Sequence, residues 1–275
     1  MRILLTGGSG QVGHAFLRLA QSHQVVAPSH GELPIEEPEA CQRIVSTVKP
    51  DWIVHPAAMT DVDACERDPA KAHAVNAAGA ANLAKAAARQ GCRMALVSTD
   101  YVFDGARGHY KETDATNPLS HYGRSKLEGE RLVVAAVPDA LVARTSVVFG
   151  PHKNNFVRWV RRSLRAGTPV KAAQDQWVTP TCSDDVAHQL LTLVEAGERG
   201  VWHTAGAERL SRLEMARRIA AHDGLDAGPI QPVAMADLSW VAPRPRDSSL
   251  DTSKVARVAR PMAFEAALDA LGAAA

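Results

Sequence analysis

Tyr122 and Lys126 close the run Tyr122-Gly123-Arg124-Ser125-Lys126, a spacing that puts both side chains on one face of a helix. A free phenol, with a pKa near 10, exchanges protons poorly at neutral pH, and an ammonium beside it favours the phenolate. The pattern YxxxK also recurs by chance as an exposed helical pair. Two further groups give it weight here. Ser98-Thr99 end a β-branched run, at the strand edge where open α/β sheets bind ligands, and a hydroxyl there can hold a carbonyl oxygen while Tyr122 delivers its proton. Thr6-Gly7-Gly8-Ser9-Gly10-Gln11-Val12-Gly13 follows the first apolar run directly and opens a helix. Its glycines read as GxxGxxG (Gly7, Gly10, Gly13) or as GxGxxG (Gly8, Gly10, Gly13), and either reading brings backbone amides up to a dinucleotide pyrophosphate at a helix N-terminus. The implied chemistry is hydride transfer between a nicotinamide and a carbonyl, with Thr99, Tyr122 and Lys126 as the catalytic set.

These groups need a scaffold that brings the ends of several strands together. The pattern predicts strands at Arg2–Thr6, Gln24–Ala27, Trp52–His55, Arg93–Ser98 and Ala140–Thr145, with helices at Gln11–Gln21, Glu37–Val48, Ala70–Gln90 and Tyr122–Val137 between them. Such alternation implies crossover units and an α/β fold, a Rossmann-type doubly wound parallel sheet covered on both faces. After Gly150 the rhythm gives way to an Arg-rich helix at Phe156–Ala166, a turn-rich segment at Gly167–Ser183 and a Pro/Arg/Ser run at Ala242–Ser253. The division is a dinucleotide-binding part at 1–150 and a smaller C-terminal substrate lobe at 151–275, interleaved with the first rather than independent. The Ala-rich pieces Ala74–Ala88 and Ala266–Ala275 are helical by propensity, and the last residues are expected to fray.

A chain of 275 residues that is 46% apolar and 22% charged packs a large core. With 31 Lys+Arg against 30 Asp+Glu the net charge is +1, so no whole-molecule field draws it to nucleic acid or a membrane. Cys41, Cys65, Cys92 and Cys182 follow neither a disulfide nor a zinc pattern, and the 11 histidines form no HxH or HExxH set, so no metal is expected. A GxSxG nucleophile elbow is absent. MRILLTGG is too short an apolar run for a signal peptide, and the expected location is the cytoplasm. The second strand ends in Ala27-Pro28-Ser29-His30 with no acid before Glu32. A hydroxyl and an imidazole there suit a 2′-phosphate better than a carboxylate would, so NADP(H) is preferred and NAD(H) is left open.

The chain resembles extended short-chain dehydrogenases/reductases, and within them the dTDP-4-dehydrorhamnose reductase family. The matching blocks span nearly its whole length: the glycine turn, His55-Pro56-Ala57-Ala58-Met59-Thr60 with Val62-Asp63 and Glu66, Val75-Asn76-Ala77, and Ser98-Thr99-Asp100-Tyr101-Val102-Phe103-Asp104-Gly105. They continue as Tyr122-Gly123-Arg124-Ser125-Lys126-Leu127-Glu128-Gly129-Glu130, Arg144-Thr145-Ser146, Asn154-Asn155-Phe156-Val157, Asp175-Gln176 with Pro180-Thr181, and Arg244-Pro245 before Leu250–Lys254. The resemblance implies reduction of a 4-keto group on a dTDP-deoxysugar. In it Tyr122 is the proton donor, Lys126 its ribose-binding partner, and Thr99 tunes the carbonyl site. Gly10, Gln11, Val12, Ala57, Ala58, Met59 and Val97 then line the cofactor, joined by Gly7, Gly13, Ser29 and His30 from the residue reading. Thr99, Asp100, Val147, Asn155 and Arg158 are the expected substrate residues.

Three positions depart from the family pattern: Pro34 replaces an acid in Glu32-Leu33-Pro34-Ile35, Val147 stands where an aromatic often packs on the sugar, and Val178 replaces a glycine. Arg158, Arg161, Arg162 and Arg165 form one helical stripe that suits a diphosphate or, more blandly, a solvated face; Arg244 and Arg246 offer the same choice. Trp177, Trp202 and Trp240 suit either ring stacking or packing. Two rival readings stand beside the reductase: a cofactor-binding regulatory subunit without turnover, and a reductase of another nucleotide sugar or specialised-metabolite ketone. Nucleic acid and membrane are not expected partners, and a homodimer is left open.

Overall fold

A computed structural model describes residues 1–272. Strands β1 (Arg2–Leu5), β2 (Gln24–Val26), β3 (Trp52–His55), β4 (Arg93–Thr99) and β5 (Leu141–Thr145) alternate with helices α1 (Gln11–Leu19), α2 (Pro38–Val48), α3 (Val62–Arg67), α4 (Pro69–His73), α5 (Ala80–Gln90) and α6 (His121–Ala136). Short strands β6 (Val148–Phe149), β7 (Val170–Ala173), β8 (Trp177–Val178) and β9 (Thr181–Cys182) follow, with α7 (Phe156–Arg165) and α8 (Ser183–Glu195) among them. The chain ends with β10 (Gly200–His203), β11 (Leu210–Ser211), α9 (Arg212–Asp223), β12 (Ile230–Val233) and α10 (Phe264–Leu271). The expected fraying at the C-terminus falls on 273–275, outside the described residues.

Six strands form one parallel sheet in the order β10-β5-β4-β3-β1-β2. Residues alternate between its faces, as pleating requires. Ile3, Leu5, Trp52, Val54, Ala95, Val97, Leu141 and Ala143 pack against Phe16 of α1 and Leu190 of α8, while Leu4, Ile53, Met94 and Leu96 meet Val45 of α2, Leu83 of α5 and Val133 of α6. Both faces are covered, so the middle of each central strand is apolar. The expected α/β doubly wound sheet is the observed one. One element differs: the predicted helix at Ala70–Gln90 is interrupted by a π-helical turn at Ala74–Gly79, where the extra residue lets Asn76 reach across to its neighbours.

β10 and α8 return to the central sheet from the second half of the sequence. The rest of that half has its own core around Phe149, Val160, Val170, Ile219, Phe264 and Leu268. Helix α7 is fixed to it by a buried fork in which Arg161 Nε and Nη2 donate to Asp223 at 2.7 and 3.0 Å. A second buried fork joins α6 to β5, Arg144 Nε and Nη2 donating to Glu130 at 3.0 and 2.7 Å.

Two imidazoles are buried in the neutral form. Burial, and secondarily the Lys126 charge, holds His55 down at about 3 from its ordinary 6.5, and desolvation also lowers His203. The unfolded chain takes up a proton near pH 6.5 that the folded chain refuses, so stability present above that pH is lost as the pH falls toward 3. For His55 alone the loss between pH 7 and 5 is roughly 2 kcal/mol. Urea melts at the two pH values should show it, and His55→Asn should flatten the dependence; an equal slope in that variant would refute the assignment.

Candidate active site

The glycine turn lies where the sheet order reverses, between β1 and β3, the switch point at which open α/β sheets take ligands. Gly7 has φ +61°, and a Cβ on it would lie 2.9 Å from the Ala57 backbone, directly after β3. On Gly13 a Cβ would come within 2.1 Å of the Gly7 carbonyl oxygen. Gly8 is less constrained, its nearest neighbours being side chains at 3.3 Å. Steric need therefore selects GxxGxxG over GxGxxG. Gly10 opens α1 with no side-chain cap, so the first amides of that helix are available to an anion. A turn folded this tightly, with uncapped helix amides beyond it, fits a dinucleotide pyrophosphate.

The wall beyond Ala57 is pinned by a single asparagine. Buried Asn76 accepts from Met59 N–H at 2.8 Å and donates to Met59 O and Ser125 Oγ, both at 3.0 Å, and Ser125 in turn donates to Tyr122 O at 2.9 Å. Helix α6 can come this close because of two glycines: a Cβ on Gly123 would lie 2.2 Å from Tyr101 O, and one on Gly129 would lie 2.4 Å from Asn76 O. Tyr122, Lys126 and Glu130 follow one another at four-residue steps along the face turned to β4 and β5.

Tyr122 stands edge-on to Tyr101, ring centres 5.7 Å apart. Burial raises its phenol above the ordinary value, and hydrogen bonding to Thr99 offsets part of the rise. Lys126 donates to Val97 O at 2.7 Å and is lowered by burial to about 8, Glu130 opposing the shift. The ammonium thus rests on a strand carbonyl, and burial keeps the proton on the phenol. Thr99 Oγ1 donates to Asp100 Oδ1 at 3.1 Å and accepts from Tyr101 N–H at 3.2 Å.

A cleft of about 650 Å³ opens next to Gln11 of α1. It borders the glycine turn through Gln11 and is lined further by Val147, Asn155, Phe156, Trp159, Lys171, Gln176, Arg212, Trp240 and Arg244. The charges of Arg212 and Arg244 both act on Tyr101, so the cationic side of the cleft adjoins the tyrosine pair. Asn155 caps α7 through Arg158 N–H at 3.1 Å and donates to Gln11 Oε1 at 3.2 Å, which ties the cleft wall to the glycine turn.

A sequence profile for the RmlD substrate binding domain matches residues 1–274. The chain belongs to that family. The dTDP-4-dehydrorhamnose reductase of Mycobacterium tuberculosis is 40% identical over 260 residues, covering 91% of this chain and 85% of that protein. The structure of a dTDP-4-dehydrorhamnose reductase from Clostridium acetobutylicum superposes with a TM-score of 0.93 at 31% identity, over 98% of both chains. One from Bacillus anthracis, in complex with NADP, gives 0.94 at 28% identity over 98% of both. The resemblance read from the motif blocks is thereby borne out.

Within this RmlD-family chain the expected site residues take up different surroundings. Asp100 is 2% exposed, and its carboxylate accepts from Thr99, from Ser146 at 2.8 Å and from Ser248 at 2.5 Å, which ties the end of β4 to the chain at 146 and 248. Arg158 turns its guanidinium to Pro151 O at 2.7 Å, outside the cleft lining, because α7 presents Phe156 and Trp159 there instead. Arg161 is a core ion pair. Ser29 donates its N–H and hydroxyl to the Glu32 carboxylate at 2.7 and 2.8 Å, so an acid does stand at the end of β2, folded back from three residues on. His30 is exposed beside it. Val147 lines the cleft with φ +41°, a left-handed conformation that strains a β-branched residue.

Sequence reasoning missed Arg212, Lys171 and Trp159. Arg212 opens α9, donates to Gln176 Oε1 at 3.2 Å and lies 5.0 Å over the Phe156 ring. Of the tryptophans weighed for stacking, Trp240 lines the cleft. Trp202 packs under Lys254, and Trp177 under Arg209.

Proposed function

We propose that this protein reduces the 4-keto group of a dTDP-bound deoxysugar with NADP(H), Tyr122 giving the proton. What carries the reading is the junction made by Asn76, through which the loop beside the glycine cradle and the Tyr122–Lys126 helix share one set of hydrogen bonds. NADPH, when bound along that cradle, supplies the hydride. As the ketone carbon accepts it, the C=O π pair moves to oxygen, which takes the Tyr122 proton and leaves a phenolate. The Lys126 ammonium, four residues on, offsets that charge once it leaves Val97 O. Thr99 orients the phenol. Gly7, Gly10, Gln11, Val12, Gly13, Ala57, Ala58, Met59 and Val97 flank the coenzyme. Arg212, Arg244 and Lys171 are suited to the diphosphate and Trp159 and Trp240 to the rings, with Val147 and Asn155 at the sugar wall.

The test is loss of absorbance at 340 nm when the protein is mixed with NADPH and dTDP-4-keto-6-deoxyhexoses. Oxidation of NADPH with formation of a dTDP-6-deoxyhexose supports the reading, and its absence with every such sugar overturns it.

Coenzyme preference turns on Glu32. Its carboxylate occupies the Ser29 donors that a 2′-phosphate would use, and these bonds hold it below the usual carboxylate range. NADP(H) is then preferred only weakly, with NAD(H) also accepted. Glu32→Gln removes the like charge and should improve NADPH affinity relative to NADH by roughly fivefold. Coenzyme titrations followed by fluorescence measure this directly; an unchanged ratio would remove Glu32 from the account.

A further inference from the structure

We infer that Asp63 is a positioning residue for the substrate: it fastens the segment 240–244, which forms one wall of the cleft, to the coenzyme half of the molecule. The inference rests on reading that cleft as the nucleotide-sugar site. Asp63 lies in the first turn of α3, four residues after Met59 in the loop beside the glycine cradle. Its Oδ1 accepts from Val241 N–H at 3.2 Å, from Ala242 N–H at 3.0 Å and from Arg244 Nη1 at 2.8 Å. Three donors from a segment almost 180 residues away in sequence converge on one oxygen. Those bonds hold the carboxyl below its usual range, so it is charged throughout the neutral region.

The segment it holds has no regular secondary structure of its own to shape it. Between the short 3₁₀ turn at Met235–Asp237 and the tie of Arg246 O to Trp177 N–H, the chain carries no helix or strand. Trp240 and Arg244 are both in the cleft lining, the guanidinium 4.4 Å from the indole centre. Arg244 also acts electrostatically on Arg212. Two guanidinium-bearing residues lining one cleft repel each other, and a diphosphate is a ligand that would hold both. Until it arrives, Asp63 offsets one of the charges and fixes the wall in the shape that the ligand needs, so less ordering is left to be done on binding.

The experiment compares the full-length protein with Asp63→Asn, Arg244→Gln and the double variant, using NADPH and dTDP-4-keto-6-deoxyglucose. Asp63→Asn should raise KM for the sugar by roughly tenfold while kcat stays within about threefold and the NADPH Kd is unchanged. Added to Arg244→Gln it should raise KM by much less than tenfold, because the two residues act as a unit. Hydrogen exchange at the Val241 and Ala242 amides, measured without substrate, should quicken by about tenfold or more in Asp63→Asn. A KM within twofold of wild type, full additivity with Arg244→Gln, or exchange at the two amides no faster than in the wild type would each overturn the clasp. Absence of turnover in the wild type counts against the proposed substrate instead, and amide exchange then still decides whether Asp63 holds the wall.

Discussion

Replacing Tyr122 with phenylalanine should lower kcat by roughly 10²–10⁴-fold, the usual share of a general acid, while leaving the melting temperature and coenzyme affinity near wild type. Phenylalanine keeps the edge contact with Tyr101, so the loss is confined to one O–H. That hydroxyl is held protonated by its surroundings, since burial raises it, which suits a donor that must give its proton only when charge appears on a neighbouring oxygen. Lys126 sets the other limit. With its ammonium lowered to about 8, turnover should decline as the pH rises past that value and the offsetting charge disappears. NADPH oxidation rates across pH for both proteins supply the check. Full turnover in Tyr122→Phe would reject the proton-donor assignment and, with it, the proposed chemistry.

Glu130→Gln should cost about 3–5 kcal/mol of stability, because it leaves the Arg144 guanidinium buried without its counter-charge. Arg144 is 4% and Glu130 5% exposed, and Arg144 Nη1 has no hydrogen-bond acceptor among the described residues. Buried to that degree, the guanidinium lies out of reach of bulk solvent. In a chain of this size each kcal/mol moves the melting temperature by roughly 2–4 °C, so a drop on the order of 10 °C is expected. The same substitution should reach the active site. Glu130 supports the Lys126 charge from one helical turn away, and without it the alkaline fall in rate should move to lower pH. Thermal melts and pH–rate profiles test the two effects separately, and a stability change under about 1 kcal/mol would show that the pair is not desolvated as described.

Much of the first half was legible because each of its signals is local. The apolar run Ile3–Leu5 and the glycine turn after it specify a strand and a helix start within a dozen residues, and the first five strands end within a residue or two of the positions expected from pattern alone. The pair Tyr122 and Lys126 needed only helical periodicity. What lay beyond reach were the partners supplied by distant chain. Nothing near Arg212 distinguishes it from Arg217 or Arg218, and the groups that hold it, Gln176 and Phe156, come from distant chain. The stripe Arg158 to Arg165 has the right spacing for one face, but that face includes Arg161, which the packing of α7 on α9 carries into the core. Glu32 was visible as an acid near β2; its return onto Ser29 depends on a turn that the residue types permit without demanding. Asn76 stood within a recognised block, and the π-helical turn that aims it leaves no mark in hydrophobic pattern.

The last strand of the central sheet has a consequence for synthesis. A ribosome that has delivered only the first 150 residues leaves β5 with an open, apolar border, which invites pairing with another nascent chain. That border is sealed only when Gly200–His203 arrives and aligns with Leu141–Arg144. Fragments cut near residue 150 should therefore be insoluble when expressed singly and recover when expressed as a pair.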